Sequence, residues 1–180
     1  MAGPDLDAWV PLSDALIRVE HSRAADADPD ALWAAAERVC VHDARRLGRA
    51  VRWRIPGVSI DQTFAQMFRA YPFALLDEGQ RHSLSGLVGR IWTISRDFPP
   101  LRDAEEFRTW SQPGTDRVLF AHWVEPGGDG RAVLHSEVRV APVDGRAALR
   151  TRAVWAVVGV LERLIGAEAL TIAARRAEGR

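Results

Sequence analysis

Alternating hydrophobic and polar positions predict five strands. Between 15 and 22, Ile17, Val19 and His21 fall on one face while Arg18 and Glu20 fall on the other, which is the two-residue period of a strand. Similar segments at 73–77 and 83–94 flank a polar turn. The segments 117–125 and 131–141 flank the turn Pro-Gly-Gly-Asp-Gly, which predicts a hairpin.

Helical spacing predicts the remaining elements. Asp28 and Pro29 are typical of a helix start, because Asp accepts from free N–H groups and Pro lacks one. A short helix is predicted over 59–70 and a single helical turn over 104–110, while 40–57 stays unassigned. The last segment, 144–176, predicts one long helix with possible bends at its glycines. Its apolar stripe contains Val154, Val158, Leu161, Ile165, Ala169 and Ile172.

This order of elements predicts an α+β fold. An irregular lead-in, 1–14, precedes a single domain over 15–178. An antiparallel sheet must bury at least one face, and the long C-terminal helix is the natural cover. Because a twisted sheet diverges from a straight helix, we expect a cavity between them.

The composition of the chain limits which binding partners and which cellular setting we expect. The chain holds 24 basic residues, all arginine, and 24 acidic residues, so no net charge favours nucleic acid. Cys40 is the only cysteine, which excludes an internal disulfide and a cysteine-based metal site and favours the cytoplasm. The longest apolar run, 153–161, is too short to span a bilayer, and the first residues do not resemble a signal peptide. No cofactor fingerprint or metal-binding motif occurs.

Four motifs, in this order and spacing, carry a resemblance to a known superfamily. They are ADPDALW at 27–33 after the first strand, LVGRIW at 87–92, the hairpin with VEP at 124–126 and SEVRV at 136–140, and the terminal helix at 155–178. Together they resemble the START-like, helix-grip superfamily, which includes polyketide cyclase and Bet v 1 relatives, and within it an uncharacterised bacterial branch. The resemblance covers about residues 15–178.

The resemblance implies a helix-grip fold, in which a curved antiparallel sheet wraps around a long C-terminal helix and short helices follow the first strand. It implies a hydrophobic small-molecule ligand and transfers no catalytic motif. Two positions depart from the branch. Gly159 precedes Val160 where a Gly-Pro pair is frequent, and His122 stands where an aromatic residue is common.

Strand parity selects the candidate ligand-binding residues. If Phe120, His122 and Val124 face the cavity, His122 can orient a ligand or act as a general base, or it can be an ordinary core histidine. Arg90 lies among apolar neighbours and either meets an anionic ligand group or forms a structural ion pair. The full candidate set is Phe68, Val88, Arg90, Trp92, Phe120, His122, Val124 and Trp155.

Two further polar groups are interpreted as structural. Glu137 and Arg139 are expected to form a surface ladder. A metal site made of His122, His135 and Glu137 is disfavoured by strand parity, which groups His122 with Phe120 and Val124 but His135 with Val133 and Glu137.

Three functions remain open from the sequence. The first is a carrier or sensor that binds a small hydrophobic molecule, and the second is an aromatase/cyclase-like enzyme acting on a polyketide or similar intermediate. The third is a protein-interaction domain with a vestigial cavity. Convergent polar groups in the cavity favour the enzyme, and a wholly apolar cavity favours the carrier. The sequence leaves the ligand, the oligomeric state and the inward sheet face undetermined.

Overall fold

The computed structural model describes residues 3–55, 57–93 and 98–180, with backbone alone at 157, 158 and 160–165. These residues form five strands and six helices. In chain order they are β1 (Ile17–Ala25), α1 (Pro29–Glu37), α2 (Arg45–Arg54), α3 (Phe64–Phe68), β2 (Ala74–Gly79), β3 (His82–Gly89), α4 (Ala104–Thr109), β4 (Asp116–Pro126), β5 (Ala132–Pro142), α5 (Gly145–Ile165) and α6 (Glu168–Ala177).

The strands form one antiparallel sheet in the order β1-β5-β4-β3-β2. Two hairpins, β2–β3 and β4–β5, are joined by the pairing of β3 with β4, and β1 adds to the free edge of β5. The α+β class predicted from the sequence is therefore confirmed. The register aligns His122 of β4 with Ser83 of β3 and with Ser136 of β5, which in turn lies opposite His21 of β1.

Both faces of the sheet are covered. On one face, Val118, Leu134 and Val140 pack in a core shared with α1, α3 and α6. On the other face, Leu119 and Ala121 pack with the N-terminal segment and α4. Because apolar residues occupy both faces of the central strands, alternation alone could not identify the inward face.

The N-terminal segment is part of this second layer. Leu6 and Val10 are buried against the sheet. Arg139 fastens the segment, because its guanidinium donates to the Val10 carbonyl at 2.7 Å and pairs with Asp7.

The expectation of a surface ladder at Glu137 and Arg139 is wrong, since both side chains are buried. Arg139 donates to Glu137 at 2.6 Å, and Arg18 donates to both oxygens of the same carboxylate at 3.0 and 2.9 Å. Burial alone would raise the pKa of Glu137, but the bonds from Arg18 and Arg139 outweigh it and hold the pKa below its usual range.

Helix boundaries follow local chemistry. Asp28 caps α1 as predicted, with its carboxylate accepting from the N–H groups of Asp30 and Ala31. The helix predicted over 59–70 is shorter, since Thr63 and Gln66 form a capping box that starts α3 at Phe64. The unassigned segment contains α2.

The C-terminal region comprises two helices rather than the single long one predicted. The break falls after Ile165, where Gly166 and Ala167 form a turn before α6. Gly is a weak helix former, and the break allows α6 to pack against α1 and β1 while α5 contacts β5. The predicted apolar stripe is only partly tested, because Val158, Leu161 and Ile165 lie outside the described side chains. Among the described helices, none has both the length and the apolar character needed to cross a membrane.

Candidate functional site

A cavity of about 640 Å³ lies between one face of the sheet and the helices that cover it. Its floor consists of side chains from β1, β3, β4 and β5, and its walls come from α1, α2, α3, α5 and α6. Most of the lining groups are apolar, among them Phe64, Leu134 and Val138. This volume lies within the range of about 300–1,000 Å³ that is typical of small-molecule sites.

An aromatic cluster closes one side of the cavity. The ring of Phe68 lies with its centroid 5.0 Å from Phe73, 5.2 Å from Phe120 and 4.8 Å from His122. Phe73 and Phe120 meet edge to face at 5.3 Å. Such offset contacts hold the rings in fixed orientations. The Phe68 ring therefore fixes one side of the His122 imidazole.

Four polar side chains cross the cavity floor in one row, perpendicular to the strands. They are His21, Ser136, His122 and Ser83, which the register places side by side on β1, β5, β4 and β3. We call these four residues the polar row. Apolar residues such as Val138 and Phe120 lie next to it along the same face. The polar row is thus a narrow stripe in an apolar floor.

His122 is neutral at physiological pH. Burial among the rings and strands lowers its pKa to about 4, because the charged imidazolium would lose its hydration there. Within the described residues, no group hydrogen-bonds to the His122 ring. Its two nitrogens therefore offer one donor and one acceptor toward the cavity.

A buried carboxyl group lies beside the cavity, at the start of the strand that carries His122. Asp116, at the start of β4, accepts a hydrogen bond of 2.8 Å from Thr151 of α5, whose side chain lines the cavity. Burial raises the pKa of Asp116 to about 7; the Thr151 bond opposes this shift, and the nearby Asp144 carboxylate adds to it.

Charged groups of the cavity wall are tied to protein partners. Arg69 donates to Glu37 at 2.9 Å and to Glu78 at 2.9 Å. Arg54 donates to the Ile91 carbonyl at 2.8 Å and lies 4.6 Å from the Phe98 ring centroid. Near Arg54, Trp53 lines the cavity while remaining 65% exposed, so α2 forms part of the rim.

Five of the eight predicted site residues line this cavity: Phe68, Trp92, Phe120, His122 and Trp155. Val124 faces the same side but belongs to the packed core beside the cavity. Val88 is misplaced by the prediction, because β3 turns it to the opposite face and directs Leu87 inward. Arg90 follows the end of β3 and is exposed, outside the cavity wall.

The sequence reasoning missed Ser83, Ser136 and Thr151 as cavity residues. Each is a common hydroxyl residue without a motif around it. Strand parity was the one available signal. It identifies Ser83 and Ser136 as cavity residues only once the strand register pairs both of them with His122.

Among the described residues, two sets of possible metal ligands come into question: His122 with His135 and Glu137, and Cys40 with His42 and Asp43. His135 stacks on Trp123 with centroids 4.9 Å apart, on the face opposite His122, so the set of His122, His135 and Glu137 does not assemble. Cys40, His42 and Asp43 bring their ligand atoms within 4.8 Å of one another. Asp43 already pairs with Arg176 at 2.7 Å and accepts from the Cys40 N–H at 2.7 Å, so protein contacts account for its carboxylate.

Comparison with known proteins gives no match: no family model, curated protein or solved structure is significantly similar to this chain.

Proposed function

We propose that this protein binds a small, mainly apolar molecule in the cavity between the sheet and the C-terminal helices, as a carrier or sensor. The observation that carries the proposal is the cavity itself, with its mainly apolar lining and the polar row across its floor. A site of this kind gains affinity from the burial of apolar ligand surface, at roughly 25 cal/mol per Å². Its few polar groups set the orientation of the ligand.

We further propose that the fold is of the helix-grip, START-like type and that the protein acts in the cytoplasm. The order of a first strand, short helices, antiparallel hairpins and C-terminal helices over the sheet supports this assignment of the fold. The division of the last helix at Gly166 is a departure from that pattern. The cytoplasmic setting rests on the composition, with Cys40 as the only cysteine.

An aromatase/cyclase-like enzyme is the second candidate, and one observation favours it. His122 has a shifted pKa and lies between two serine hydroxyls, which is a convergent polar group in a cavity. However, a pKa of about 4 makes His122 a weak base, and within the described residues no carboxylate orients its ring. Ligand binding is therefore the better-supported function.

A blocking variant tests the proposed binding. Freshly purified protein is first examined by native mass spectrometry for a retained ligand, and then by a thermal-shift screen of fatty acids, polyketide-like aromatics and sterols. A ligand at a hundredfold excess over its Kd stabilises the protein by about 2.7 kcal/mol. Val138→Trp should abolish that stabilisation, because Val138 of β5 lines the cavity and an indole would fill it.

The matched control is Leu149→Trp, which places the same side chain on the exposed surface of α5. It should bind as the natural protein does, and circular dichroism should show that both variants are folded. Equal binding by Val138→Trp would place the ligand elsewhere and contradict the proposal.

Two substitutions test which polar residue contacts the ligand, and one of them also tests the enzyme candidate. His122→Ala should weaken binding of an oxygen-bearing ligand by several-fold, whereas Arg90→Ala should leave it unchanged because Arg90 lies outside the cavity wall. If a polyketide-like intermediate is turned over and His122→Ala abolishes the turnover, the enzyme replaces the carrier as the function.

A further inference from the structure

We propose that the polar row selects a flat, apolar ligand that carries two neutral oxygen groups, hydroxyl or ketone, and that it discriminates against carboxylates. This inference rests on the proposed function of the cavity and names its ligand class. It comes from the juxtaposition of Ser83, His122 and Ser136 on three neighbouring strands.

The spacing of the strands sets the spacing of the ligand groups. Neighbouring strands lie about 4.8 Å apart, so the two serines flank His122 at about that distance and stand about 10 Å from each other. All three side chains are on the cavity floor. A fused aromatic ring system lying across the strands can therefore present one oxygen near each serine.

The two hydroxyls are available for such contacts. Ser136 is only 9% exposed, and its side chain points to the cavity from β5. Among the described residues, neither Ser83 nor Ser136 has a side-chain hydrogen bond to another protein group. A buried hydroxyl without a partner is costly, and a ligand in the cavity can supply one to Ser136 and to the half-buried Ser83.

The chemistry of the row favours neutral groups. A serine hydroxyl both donates and accepts, and a neutral imidazole offers one donor and one acceptor, so the row complements hydroxyl and ketone oxygens. A carboxylate needs a positive partner when it leaves water. Of the arginines in the cavity wall, Arg69 is already compensated by Glu37 and Glu78, and Arg54 is held by the Ile91 carbonyl and the Phe98 ring.

Three naphthalene probes test the ligand class on the full chain at pH 7.5, by isothermal titration calorimetry. They are 2,6-dihydroxynaphthalene, naphthalene-2,6-dicarboxylate and naphthalene. The three share one ring system, so differences in Kd report the polar groups. The dihydroxy compound should bind at least about tenfold more tightly than either of the others. Naphthalene offers the serines no hydrogen bond, and the dicarboxylate can accept from them but must bury two charges.

Serine substitutions locate the contact. Ser136→Ala and Ser83→Ala should each weaken binding of 2,6-dihydroxynaphthalene by about three- to tenfold and leave naphthalene unchanged. Ser85→Ala is the matched control. Ser85 lies on β3 two residues from Ser83 and pairs with Phe120 of β4. It is buried and does not line the cavity, so removing its hydroxyl should not alter the Kd of any probe.

The outcomes distinguish failure of the proposed ligand class from failure of the proposed binding function. The ligand class is wrong, while the cavity function stands, if the dicarboxylate binds as tightly as the dihydroxy compound. The same conclusion follows if the serine variants weaken binding of the dihydroxy compound and of naphthalene equally. If none of the three probes binds while a fatty acid or sterol does, the ligand class is wrong and the cavity function stands. If no compound of either screen binds, the proposed function fails and the inference fails with it.

Discussion

Thr151 of α5 donates a hydrogen bond of 2.8 Å to the buried carboxyl of Asp116 at the start of β4. The bond joins the helix that covers the cavity to the central part of the sheet. Asp144 lies nearby, and its carboxylate accepts from the N–H of Ala147 at the start of α5. Two carboxyls thus stand near the first turns of one helix, and only Asp116 is deeply buried.

Asp116→Asn should increase stability at alkaline pH. Because the pKa of Asp116 is about 7 in the folded protein and 3.8 ordinarily, the folded state binds more protons between these values. The contribution of Asp116 to the free energy of unfolding is therefore largest at acidic pH and is lost as the pH rises from about 4 to about 7, by roughly 4 kcal/mol in all. Asparagine keeps an acceptor for Thr151 and carries no charge.

The measurement is urea unfolding of the natural protein and of Asp116→Asn at pH 5 and pH 8. We expect the variant to be the more stable of the two at pH 8, with the difference shrinking at pH 5. An equal difference at both pH values would show that Asp116 does not titrate in this range.

His122→Phe should change the pH dependence in the opposite sense. The pKa of His122 is about 4 in the folded protein and 6.5 ordinarily, so the unfolded state binds more protons between pH 4 and 6.5. The stability that neutral His122 contributes is present above pH 6.5 and is lost as the pH falls toward 4. Phenylalanine keeps a ring beside Phe68 and cannot titrate.

Urea titrations of His122→Phe from pH 7 to pH 4.5 should show a smaller loss of stability than the natural protein shows. Asp116→Asn should show a larger loss over the same interval, because Asp116 gains stability there while His122 loses it. Parallel profiles for all three proteins would contradict both assignments.

Arg139→Met should release the N-terminal segment from the sheet. Arg139 is buried, and it holds Glu137, the Val10 carbonyl and Asp7 together. The loss of stability should be about 1–3 kcal/mol, because the Val10 carbonyl and Asp7 lose their partner while Glu137 keeps both bonds from Arg18. Hydrogen exchange should accelerate over 5–10, where the N–H groups of Trp9 and Val10 bond to Leu6.

Arg131→Met is the control for this prediction. It removes the partner of Asp26 in an exposed pair, and such pairs contribute little to stability. We expect no acceleration over 5–10. The same exchange pattern in both variants would mean that the Arg139 contacts do not hold the segment.

Gly86→Ala should destabilise the protein through a clash with Phe107. A Cβ at Gly86 would lie 2.5 Å from Cδ2 of Phe107, whose ring is fully buried between α4 and β3. Overpacking of this kind costs about 1–3 kcal/mol. Phe107→Leu on the same background should recover part of the loss, and a double-mutant cycle in urea measures the coupling.

Gly128→Ala is the matched change in the β4–β5 turn, where a Cβ would meet no atom within 4 Å. It should leave the unfolding midpoint unchanged. Additive effects of Gly86→Ala and Phe107→Leu would argue that the two side chains do not compete for space.

The local elements could be predicted from the sequence because local chemistry determines them. Asp28 and Pro29 place the start of α1, and the Pro-Gly-Gly-Asp-Gly turn places the β4–β5 hairpin. Where the local signal is weak, the prediction is incomplete. The sequence assigns no element to α2 and too long a span to α3, and it predicts one helix bent near Gly159 or Gly166, whereas the structure divides that helix after Ile165.

The candidate site was predicted in part because one strand face supplies most of it. Phe120 and His122 are two residues apart on β4, so they were correctly expected on one face, and Phe68, Trp92 and Trp155 also line the cavity. Val88 was placed inward because its strand is apolar on both faces, and such a strand carries no parity signal. Arg90 lies beyond the strand end, which periodicity over 83–94 did not locate.

By itself, then, the sequence determined the α+β class and the order of strands and helices, because caps, turns and periodicity act over a few residues. Only the tertiary structure decided which face of the sheet forms the cavity, that the N-terminal segment covers the other face, and that Ser83, His122 and Ser136 stand in one row. These features depend on strand register, and a shift of one residue would direct each of those side chains to the opposite face.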